Sequence, residues 1–465
     1  MPTAPSVNRA TQSGIAMTTS VPTAADLATD IARVFALQQT HQWEAKASSA
    51  AERKDKLARL KAAVETHADA IVAAVLEDTR KPVAEIRVTE VMNVIANIQR
   101  NIDNLDAWMM PVEVGSSLNP ADRARIIHEA RGVCLILGPW NFPLGLALGP
   151  VAAAIAAGNT CIVKLTDLCP ATARVASAII EEAFDERDVA LFEGDVSVAT
   201  ALLDLPFNHI FFTGSPRVGR IVMAAAARHL TSVTLELGGK SPVIVDDSAD
   251  IDQVAAQLAA AKQFNGGQAC ISPDYVFVKE DRKAALVEGF RANVQKNLYD
   301  EAGQIRKDSI AQIVNRANFD RVKAMFDDAV AKGATVAVGG TFEADDLTIH
   351  PTMLTDVTPQ MTILQDEIFA PVIPVMTYDT LDQAIGYIAA RDKPLALYIY
   401  SRDEANIEKV LARTSSGGVT VNGVFSHYLE NNLPFGGVNT SGMGSYHGVF
   451  GFRCFSHERA VYLHG

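Results

Sequence analysis

The sequence predicts an α/β protein with two domains, each built around a largely parallel sheet. Short apolar runs bounded by Gly or Pro alternate with helical segments from residue 132 to residue 238, and a second alternating region begins near residue 240. This spacing is typical of βαβ units, in which a helix connects two parallel strands. The chain has 465 residues, which is long enough for about two or three domains and for a large apolar core.

The individual elements follow from hydrophobic periodicity. Residues 24–110 are charged and Ala-rich, with apolar residues at helical spacing, and they predict a group of helices. In the first alternating region, buried strands are predicted at GVCLILGP (132–139), NTCIVKL (159–165), VALFEG (189–194), NHIFFTG (208–214) and SVTLELG (232–238). In the second region, strands are predicted at SPVIVDD (241–247), YVFVKE (275–280), ATVAVGG (334–340), APVIPVMTY (370–378), LALYIYS (395–401) and GGVTVNG (417–423).

Composition excludes several classes of function. The net charge is −13, which disfavours nucleic acid or an anionic membrane as the main partner. No apolar stretch is long enough to predict a membrane span. The first twenty residues lack the apolar run of a signal peptide and predict a disordered tail. The five cysteines contain no C-x-x-C pair, so we expect no disulfide framework and no metal site, and we expect a reducing cytoplasm.

Cys270 lies in FNGGQACISPDY (264–275), a stretch of small and polar residues. A free cysteine is most often a buried small hydrophobe, and Cys134 and Cys161 fit that interpretation because they lie within apolar strands. The residues that precede Cys270 favour an accessible turn instead. A reactive thiol needs such access, together with thiolate character that backbone dipoles can supply. Cys270 is therefore a candidate nucleophile.

Two charged residues lie within or at the end of predicted buried strands. Glu236 lies in LELGGKSP (235–242), where an unpaired carboxylate is costly, so it is either paired with a cation or held as a base with a raised pKa. Lys164 lies in IVKLTD (162–167), at the strand end where dinucleotides bind in doubly wound sheets. A lysine at this position is more often a solvated charge, so both interpretations of Lys164 stay open.

Two turns complete the candidate site. FFTGSPRVG (211–219) connects a strand to a helix, and its small residues let backbone N–H groups approach a phosphate. It matches neither G-x-G-x-x-G nor the P-loop, so an ordinary turn is an equal alternative. GPWNFP (138–143) holds Asn141 between two prolines, where a fixed side-chain amide could donate to a developing oxyanion.

Six motifs, taken together, resemble the aldehyde dehydrogenase superfamily in their order and rough spacing, over nearly the whole chain after the first residues. They are GPWNFP, FTGSPRVG, LELGGKSP, NGGQAC, EIFAP (367–371) and PFGGVNTSGMG (434–444). CISPDY after the cysteine and GSYHGVFGF near the end are similar to the class 3 branch, which includes fatty, benzaldehyde-type and coniferyl-type aldehyde dehydrogenases.

The resemblance implies a role for each residue. Cys270 attacks the aldehyde carbon, the Asn141 amide and the Cys270 backbone N–H hold the oxyanion, and Glu236 activates water to release the acid. The cofactor is NAD or NADP, and no metal is required. The expected cofactor-binding residues are Lys164, Asp167, Gly214, Ser215, Gly219, Glu367 and Phe369. The aldehyde is expected to be aromatic or medium- to long-chain aliphatic.

The resemblance also implies an architecture. Residues 21–118 and 132–238 form a Rossmann-like NAD(P)-binding domain, and residues 239–425 form an α/β catalytic domain. Residues 119–131 and 426–465 form a small β oligomerisation arm and the C-terminal tail, and because such an arm cannot bury itself on one subunit, a homodimer is expected.

Three questions stay open at the level of sequence. Asp167 stands where the family often has a Glu that contacts the NAD ribose, and Asp is one carbon shorter, so the residues do not choose between NAD and NADP. An acylating enzyme that passes the thioester to coenzyme A is an alternative, although it does not need Glu236 as a base. A non-catalytic nucleotide-binding protein on the same fold is a second alternative.

Overall fold

The computed structural model describes residues 24–465, so the predicted tail at residues 1–20 lies outside the described residues. The predicted group of helices at residues 24–110 is confirmed. It consists of α1 (Ala24–Ala47), α2 (Ala50–Thr66), α3 (Ala68–Thr79), α4 (Val83–Ile86), a π-helical turn (Arg87–Met92) and α5 (Asn93–Met109). Ser49 and Glu52 form a capping box that satisfies backbone N–H groups at the start of α2.

Two strands follow the helices and precede the first large sheet: β1 (Val112–Glu113) and β2 (Arg123–Ala130). The five predicted strands of the first region are all present, and four helices lie among them. The strands are β3 (Val133–Leu137), β4 (Thr160–Lys164), β5 (Val189–Leu191), β6 (His209–Thr213) and β7 (Ser232–Glu236). The helices are α6 (Gly145–Ala156), α7 (Pro170–Ala183), α8 (Val196–Leu203) and α9 (Pro216–Ala227).

The second region contains the six predicted strands and three more that the sequence reasoning missed. The strands are β8 (Pro242–Val245), β9 (Tyr275–Val278), β10 (Thr335–Val338), β11 (Phe342–Glu343), β12 (Thr348–Ile349), β13 (Thr352–Thr355), β14 (Val372–Thr377), β15 (Ala396–Tyr400) and β16 (Gly418–Val421). The helices are α10 (Ile251–Gln263), α11 (Glu280–Leu298), α12 (Arg316–Ala331), α13 (Leu381–Ala389) and α14 (Glu404–Arg413). Short 3₁₀ turns lie at Phe264–Gly267, Lys307–Ser309 and Thr362–Leu364.

The chain ends with α15 (Ser426–Leu429), β17 (Gly442–Met443), α16 (Gly448–Cys454) and β18 (Ser456–Leu463). β18 pairs along its whole length with β2, and β1 pairs with the other edge of β2. The result is a three-stranded antiparallel sheet in the order β1-β2-β18. β2 and β18 lie in the two segments in which the arm is predicted, whereas β1 precedes residue 119 and lies outside them.

The two large sheets are mostly parallel, as predicted. The first has the order β17-β7-β6-β3-β4-β5 and the second has the order β10-β13-β14-β9-β8-β15-β16. β17 comes from the C-terminal tail and adds antiparallel to β7, so the tail contributes to the first sheet as well as to the arm. In the first sheet β3, β4 and β6 are buried at every residue, which explains their continuous apolar sequences.

The topology places the chemically interesting turns at the carboxyl ends of parallel strands. The GPWNFP turn follows β3, the Lys164 turn follows β4 and the FTGSPRVG turn follows β6. Because β3 and β6 both pair in parallel register with their neighbours, these turns meet at one edge of the first sheet. Ligands bind at this edge in open α/β sheets. None of the helices within residues 24–465 is long and apolar enough to cross a bilayer.

Candidate active site

A cavity of about 630 Å³ lies at this edge of the first sheet. Its wall includes eight of the ten residues that the sequence analysis singled out, drawn from both alternating regions of the chain. They are Asn141, Asp167, Gly214, Ser215, Glu236, Cys270, Glu367 and Phe369. Residues more than two hundred positions apart in sequence therefore meet in one space that is large enough for a small molecule.

The Cys270 loop has an unusual backbone that turns the chain between α10 and β9. Asn265, Gly266 and Gly267 all have positive φ values, of 47°, 57° and 71°. A Cβ atom on Gly267 would lie 2.4 Å from the Ala370 carbonyl oxygen, so only glycine fits there. The tight left-handed turn presents Cys270 to the cavity, and this explains the small residues that precede the cysteine.

The Asn141 turn is bonded directly to the Cys270 loop. Asn141 Nδ2 donates to the Gln268 carbonyl oxygen at 3.1 Å, and Asn265 Nδ2 donates to the Asn141 carbonyl oxygen at 3.1 Å. Asn265 Nδ2 also donates to Gln268 O at 2.9 Å. An amide nitrogen carries two hydrogens, so the bond to Gln268 orients the Asn141 amide and leaves its second N–H for another acceptor.

Glu236 is the last residue of β7, and its side chain lines the cavity although only 2% of the residue is exposed. Neither carboxylate oxygen has a hydrogen-bond partner among residues 24–465. Burial therefore raises the pKa of Glu236 well above its ordinary value. The sequence left open whether Glu236 is paired with a cation or is unpaired with a raised pKa, and in the described structure it is unpaired.

Cys270 lies in the same desolvated environment. Burial raises the pKa of the Cys270 thiol to about 12, and the nearby carboxylates of Glu367 and Glu236 raise it further in the same direction. Burial therefore disfavours the charged forms of both the Cys270 thiol and the Glu236 carboxyl. A positive charge in the cavity would shift both groups toward their ionised forms.

Glu367 approaches the cavity over the two glycines of LELGGKSP. A Cβ atom on Gly238 would lie 2.4 Å from Glu367 Oε2, so the absence of a side chain at Gly238 makes room for this carboxylate. Burial raises the pKa of Glu367 to about 8. Phe369 lies two residues after Glu367 and has a φ of 53°. Its ring contacts the Trp140 ring edge-on, with ring centres 5.3 Å apart.

Cations from the second alternating region bind the backbone of the Glu367 loop. Arg321 donates to the carbonyl oxygens of Glu367 and Ile368, each at 2.9 Å. Lys240 pairs with Asp274 and donates to the Asp366 carbonyl oxygen at 2.8 Å. The sequence reasoning missed these residues because an isolated charge carries no signal about which backbone it binds, whether it lies on α12, as Arg321 does, or between β7 and β8, as Lys240 does.

The other predicted cofactor residues surround the turn after β4 and the start of α9. Lys164 ends β4 and is 6% exposed, and burial lowers its pKa while Asp167 and Asp195 oppose that shift. Its ammonium makes no hydrogen bond within the described part of the chain. Ser215 caps α9 by accepting from Val218 N. Gly219 lies one turn further along and faces Leu237 rather than the cavity.

These residues fit a dinucleotide. The start of α9 offers backbone N–H groups for a pyrophosphate, and Lys164 offers an ammonium without a hydrogen bond in the described chain. The cavity wall beside Asn141 and Cys270 contains the carboxylate oxygens of Glu236, which have no hydrogen-bond partner there. The side chain of Arg217, which the sequence analysis did not single out, also lines the cavity at the start of α9. Across residues 24–465, no group of three or more His, Cys, Asp or Glu side chains could hold a metal ion.

Comparisons with known proteins identify the family of this chain. The sequence model of the aldehyde dehydrogenase family matches residues 2–461. AldX of Bacillus subtilis (strain 168) is 49% identical over 434 residues, which cover 93% of this chain and 98% of that protein. The mouse aldehyde dehydrogenase family 3 member A2 is 39% identical over 415 residues, covering 89% and 84% of the two chains.

A solved structure described as the substrate-bound state of Staphylococcus aureus AldH is also similar. It superposes with a TM-score of 0.89 at 35% identity, covering 93% of this chain and 94% of that one. The family 3 relative fits the class 3 features of the sequence. The chain belongs to the aldehyde dehydrogenase family.

Proposed function

We propose that this NAD(P)-dependent aldehyde dehydrogenase oxidises its aldehyde through a covalent intermediate on Cys270, with Asn141 as oxyanion donor and Glu236 as the base for hydrolysis. The observation that carries the proposal is that all three side chains line one cavity. A nucleophile, a preorganised donor and a base with a raised pKa are the groups that such a reaction needs.

In the first half of the reaction, the Cys270 thiol releases its proton to solvent, and the sulfur forms a bond to the aldehyde carbon as the C=O π bond breaks. The carbonyl oxygen becomes an oxyanion, which accepts hydrogen bonds from the second N–H of Asn141 Nδ2 and from the Cys270 backbone N–H. A nicotinamide held by Glu367 and Phe369 would supply a positive charge beside the thiol and would be the acceptor for the hydride that this carbon loses. A thioester on Cys270 remains, because the carbon has lost two electrons.

In the second half, Glu236 takes a proton from water as the water oxygen attacks the thioester carbon. The C–S bond then breaks, and the thiolate of Cys270 recovers a proton. A carboxylate whose pKa is raised by burial is a stronger base than an exposed one, which suits this step. The orphaned oxygens of Glu236 support the role, because both are free to bind a water.

We assign the cofactor to the first sheet and the nucleophile to the second. Residues 21–118 and 132–238 form the NAD(P)-binding domain in this assignment, and residues 239–425 form the catalytic domain. Lys164, Asp167, Gly214 and Ser215 hold the adenosine and pyrophosphate side, with Gly219 packing the helix behind them. Glu367 and Phe369 hold the nicotinamide side. The cavity that joins both sets of residues supports the assignment.

An apolar aldehyde, aromatic or medium- to long-chain aliphatic, suits the surroundings of the reacting groups. Phe142, which follows Asn141, stacks on Phe264 with ring centres 5.7 Å apart. Phe264 contacts Phe425, also at 5.7 Å. Phe142 and Phe264 belong to the same two turns as Asn141 and Cys270, and Phe425 packs against Phe264 from the segment between β16 and α15. An aromatic cluster beside these turns supports an apolar aldehyde.

We further propose a homodimer in a reducing cytoplasm. The outer edge of β18 in the arm and the outer edge of β16 in the second sheet are unpaired within residues 24–465. Exposed apolar side chains accompany the arm, including Leu118 at 83% and Val112 at 44%. An unpaired edge with apolar neighbours favours pairing with a second copy. The five free cysteines suit a reducing compartment.

Two other functions compete with hydrolysis. A coenzyme A-acylating enzyme would need no base at Glu236, so a desolvated carboxyl in the cavity favours water as the acceptor. A non-catalytic nucleotide-binding protein would have no use for the Cys270 loop, whose left-handed backbone is costly to build. Both alternatives are therefore less well supported than hydrolytic oxidation.

Cys270→Ala is expected to lower aldehyde oxidation by more than about a thousandfold, because the covalent route is lost. Cofactor binding, followed by titration of protein fluorescence, should be retained, since the thiol is proposed to bind the aldehyde and not the cofactor. Cys454→Ala is the matched control, as Cys454 is also half-buried but lies in α16. Near-normal turnover by Cys270→Ala would reject the nucleophile.

Glu236→Gln is expected to separate the two halves of the reaction. The thioester should still form, so rapid mixing should show a burst of reduced cofactor equal to the number of sites, followed by a slow phase limited by hydrolysis. Glu404→Gln, at the exposed start of α14, should keep a single fast phase. A uniform loss of rate without a burst would count against Glu236 as the hydrolytic base.

Asp167→Ala is expected to shift the ratio of kcat/KM values toward NADP by about tenfold, which corresponds to about 1.4 kcal/mol. The reason is that a carboxylate beside Lys164 repels a 2′-phosphate. Asp69→Ala removes the same charge from an Asp whose side chain is 90% exposed on α3, and it should leave the ratio unchanged. An equal ratio in both variants means that Asp167 does not face the 2′ position.

Light scattering is expected to give a mass of twice the 49.8 kDa of one chain. Leu118→Glu should weaken the dimer because it places a charge in the apolar surface of the arm. Leu230→Glu changes a leucine that is 94% exposed and distant in sequence from the arm, and it should not weaken the dimer. A monomeric wild-type protein contradicts the assembly, and equal dissociation constants for the two variants contradict the interface.

A further inference from the structure

Lys81 and Glu90 form an ion pair that is completely buried and lies outside the wall of the active-site cavity. Lys81 Nζ lies 3.1 Å from Glu90 Oε1, and both side chains are 0% exposed. Removing two charges from water costs several kcal/mol for each ion, and their mutual attraction repays this only when further hydrogen bonds satisfy both groups. The partners of those further bonds therefore indicate what the pair does.

All of the further bonds go to the turn that carries Asn141. Lys81 Nζ donates to the Asn141 carbonyl oxygen at 2.5 Å and lies 4.1 Å from the centre of the Phe142 ring. Glu90 Oε2 accepts from Leu144 N at 3.1 Å and from Gly145 N at 2.8 Å. The pair therefore binds the turn at both ends, from Asn141 to the first residue of α6.

The surroundings of Glu90 are apolar, so a charge there needs a specific reason. Ile86, Val94 and Ile98 are buried on the same helical face as Glu90, which lies in the π-helical turn between α4 and α5. An apolar pair of similar volume at the two sites would avoid the cost of desolvating two ions. What an apolar pair could not supply is a donor for Asn141 O and an acceptor for two backbone N–H groups.

The position of the Asn141 backbone sets the position of its side-chain amide. The Asn141 carbonyl oxygen receives two hydrogen bonds, from Lys81 and from Asn265 of the Cys270 loop. The backbone of Asn141 is held in this way, and its Nδ2 is bonded to Gln268 O. The direction of the second N–H of the amide is therefore fixed. An oxyanion donor is effective only when it is preorganised to within a fraction of an ångström.

We propose that Lys81 and Glu90 are positioning residues, which act on the reaction by holding the Asn141 turn against the Cys270 loop. The inference rests on the proposed role of Asn141 as oxyanion donor. Lys81 and Glu90 touch neither substrate nor cofactor in this account, and their whole effect passes through the placement of the Asn141 amide.

The test is a double-mutant cycle between the ion pair and Asn141. Lys81→Met combined with Glu90→Gln removes both charges while keeping the size of both side chains. This double variant is expected to lower kcat by tenfold to hundredfold, on the order of the cost of a misplaced catalytic group, with the cofactor dissociation constant unchanged. In an Asn141→Ala background the same two substitutions should lower kcat by less than about twofold, because residues that act through one group are not additive.

The outcomes are distinct. If Asn141→Ala leaves kcat unchanged, the proposed oxyanion role fails, whatever the ion pair does. A second outcome is that Asn141→Ala lowers kcat, while the two charge-removing substitutions lower it by the same factor in the Asn141→Ala background as in the wild type. In that case the pair has a general structural role and the positioning inference is overturned. An unchanged kcat in the charge-free variant overturns it as well.

Arg53→Met is the matched control for a general loss of protein stability. Arg53 is 6% exposed and donates to the carbonyl oxygen of Ala156, at the opposite end of α6, at 3.0 Å. Its loss should lower the melting temperature without changing kcat. If the charge-free variant does not fold, Glu90→Gln alone serves the same cycle, because glutamine can still accept from Leu144 N and Gly145 N but leaves Lys81 without its counter-charge.

Discussion

The catalytic arrangement depends on a small group of hydrogen bonds that connects two turns from different sheets. The Asn141 turn follows β3 of the first sheet, and the Cys270 loop precedes β9 of the second. Asn141 donates to the backbone of the loop, and Asn265 of the loop donates to the backbone of the turn. These bonds hold the proposed nucleophile and the proposed oxyanion donor next to each other, although their turns come from different sheets.

Desolvation is the second constraint. Glu236 has no polar partner in the described structure, and burial raises its pKa well above the ordinary value. Burial also raises the pKa of Cys270 to about 12. Both shifts disfavour the charged forms, and a positive charge bound in the cavity would favour them again.

The sequence predicted those parts of the molecule that have a local signal. Continuous apolar runs identified the buried strands, and the glycines around Cys270 and Glu236 indicated close backbone approaches. β13 was missed because TMLT is only four residues long and follows a proline, so it has no periodicity of its own. Gly219 appeared to belong to a phosphate turn, but it faces Leu237 because one helical turn separates it from the cavity.

Lys81 and Glu90 show what local patterns cannot supply. A lysine before a proline resembles a solvated loop charge, and only the tertiary structure reveals that it meets the carbonyl of Asn141 sixty residues later. One signal was present, since Glu90 interrupts the apolar stripe of Ile86, Val94 and Ile98. A carboxylate on an apolar face needs a partner, but the sequence does not say that the partner is a backbone turn beside the active site.

The most direct test of hydrolytic oxidation in this cavity is the yield of carboxylic acid per reduced cofactor, measured without coenzyme A. The aldehydes would run from short aliphatic through long-chain aliphatic to benzaldehyde and cinnamaldehyde types, each with NAD and with NADP. The account predicts one acid for each reduced cofactor, with the highest kcat/KM for an aromatic or longer aliphatic aldehyde. Activity that appears only when coenzyme A is added, with an acyl-coenzyme A as product, would contradict it.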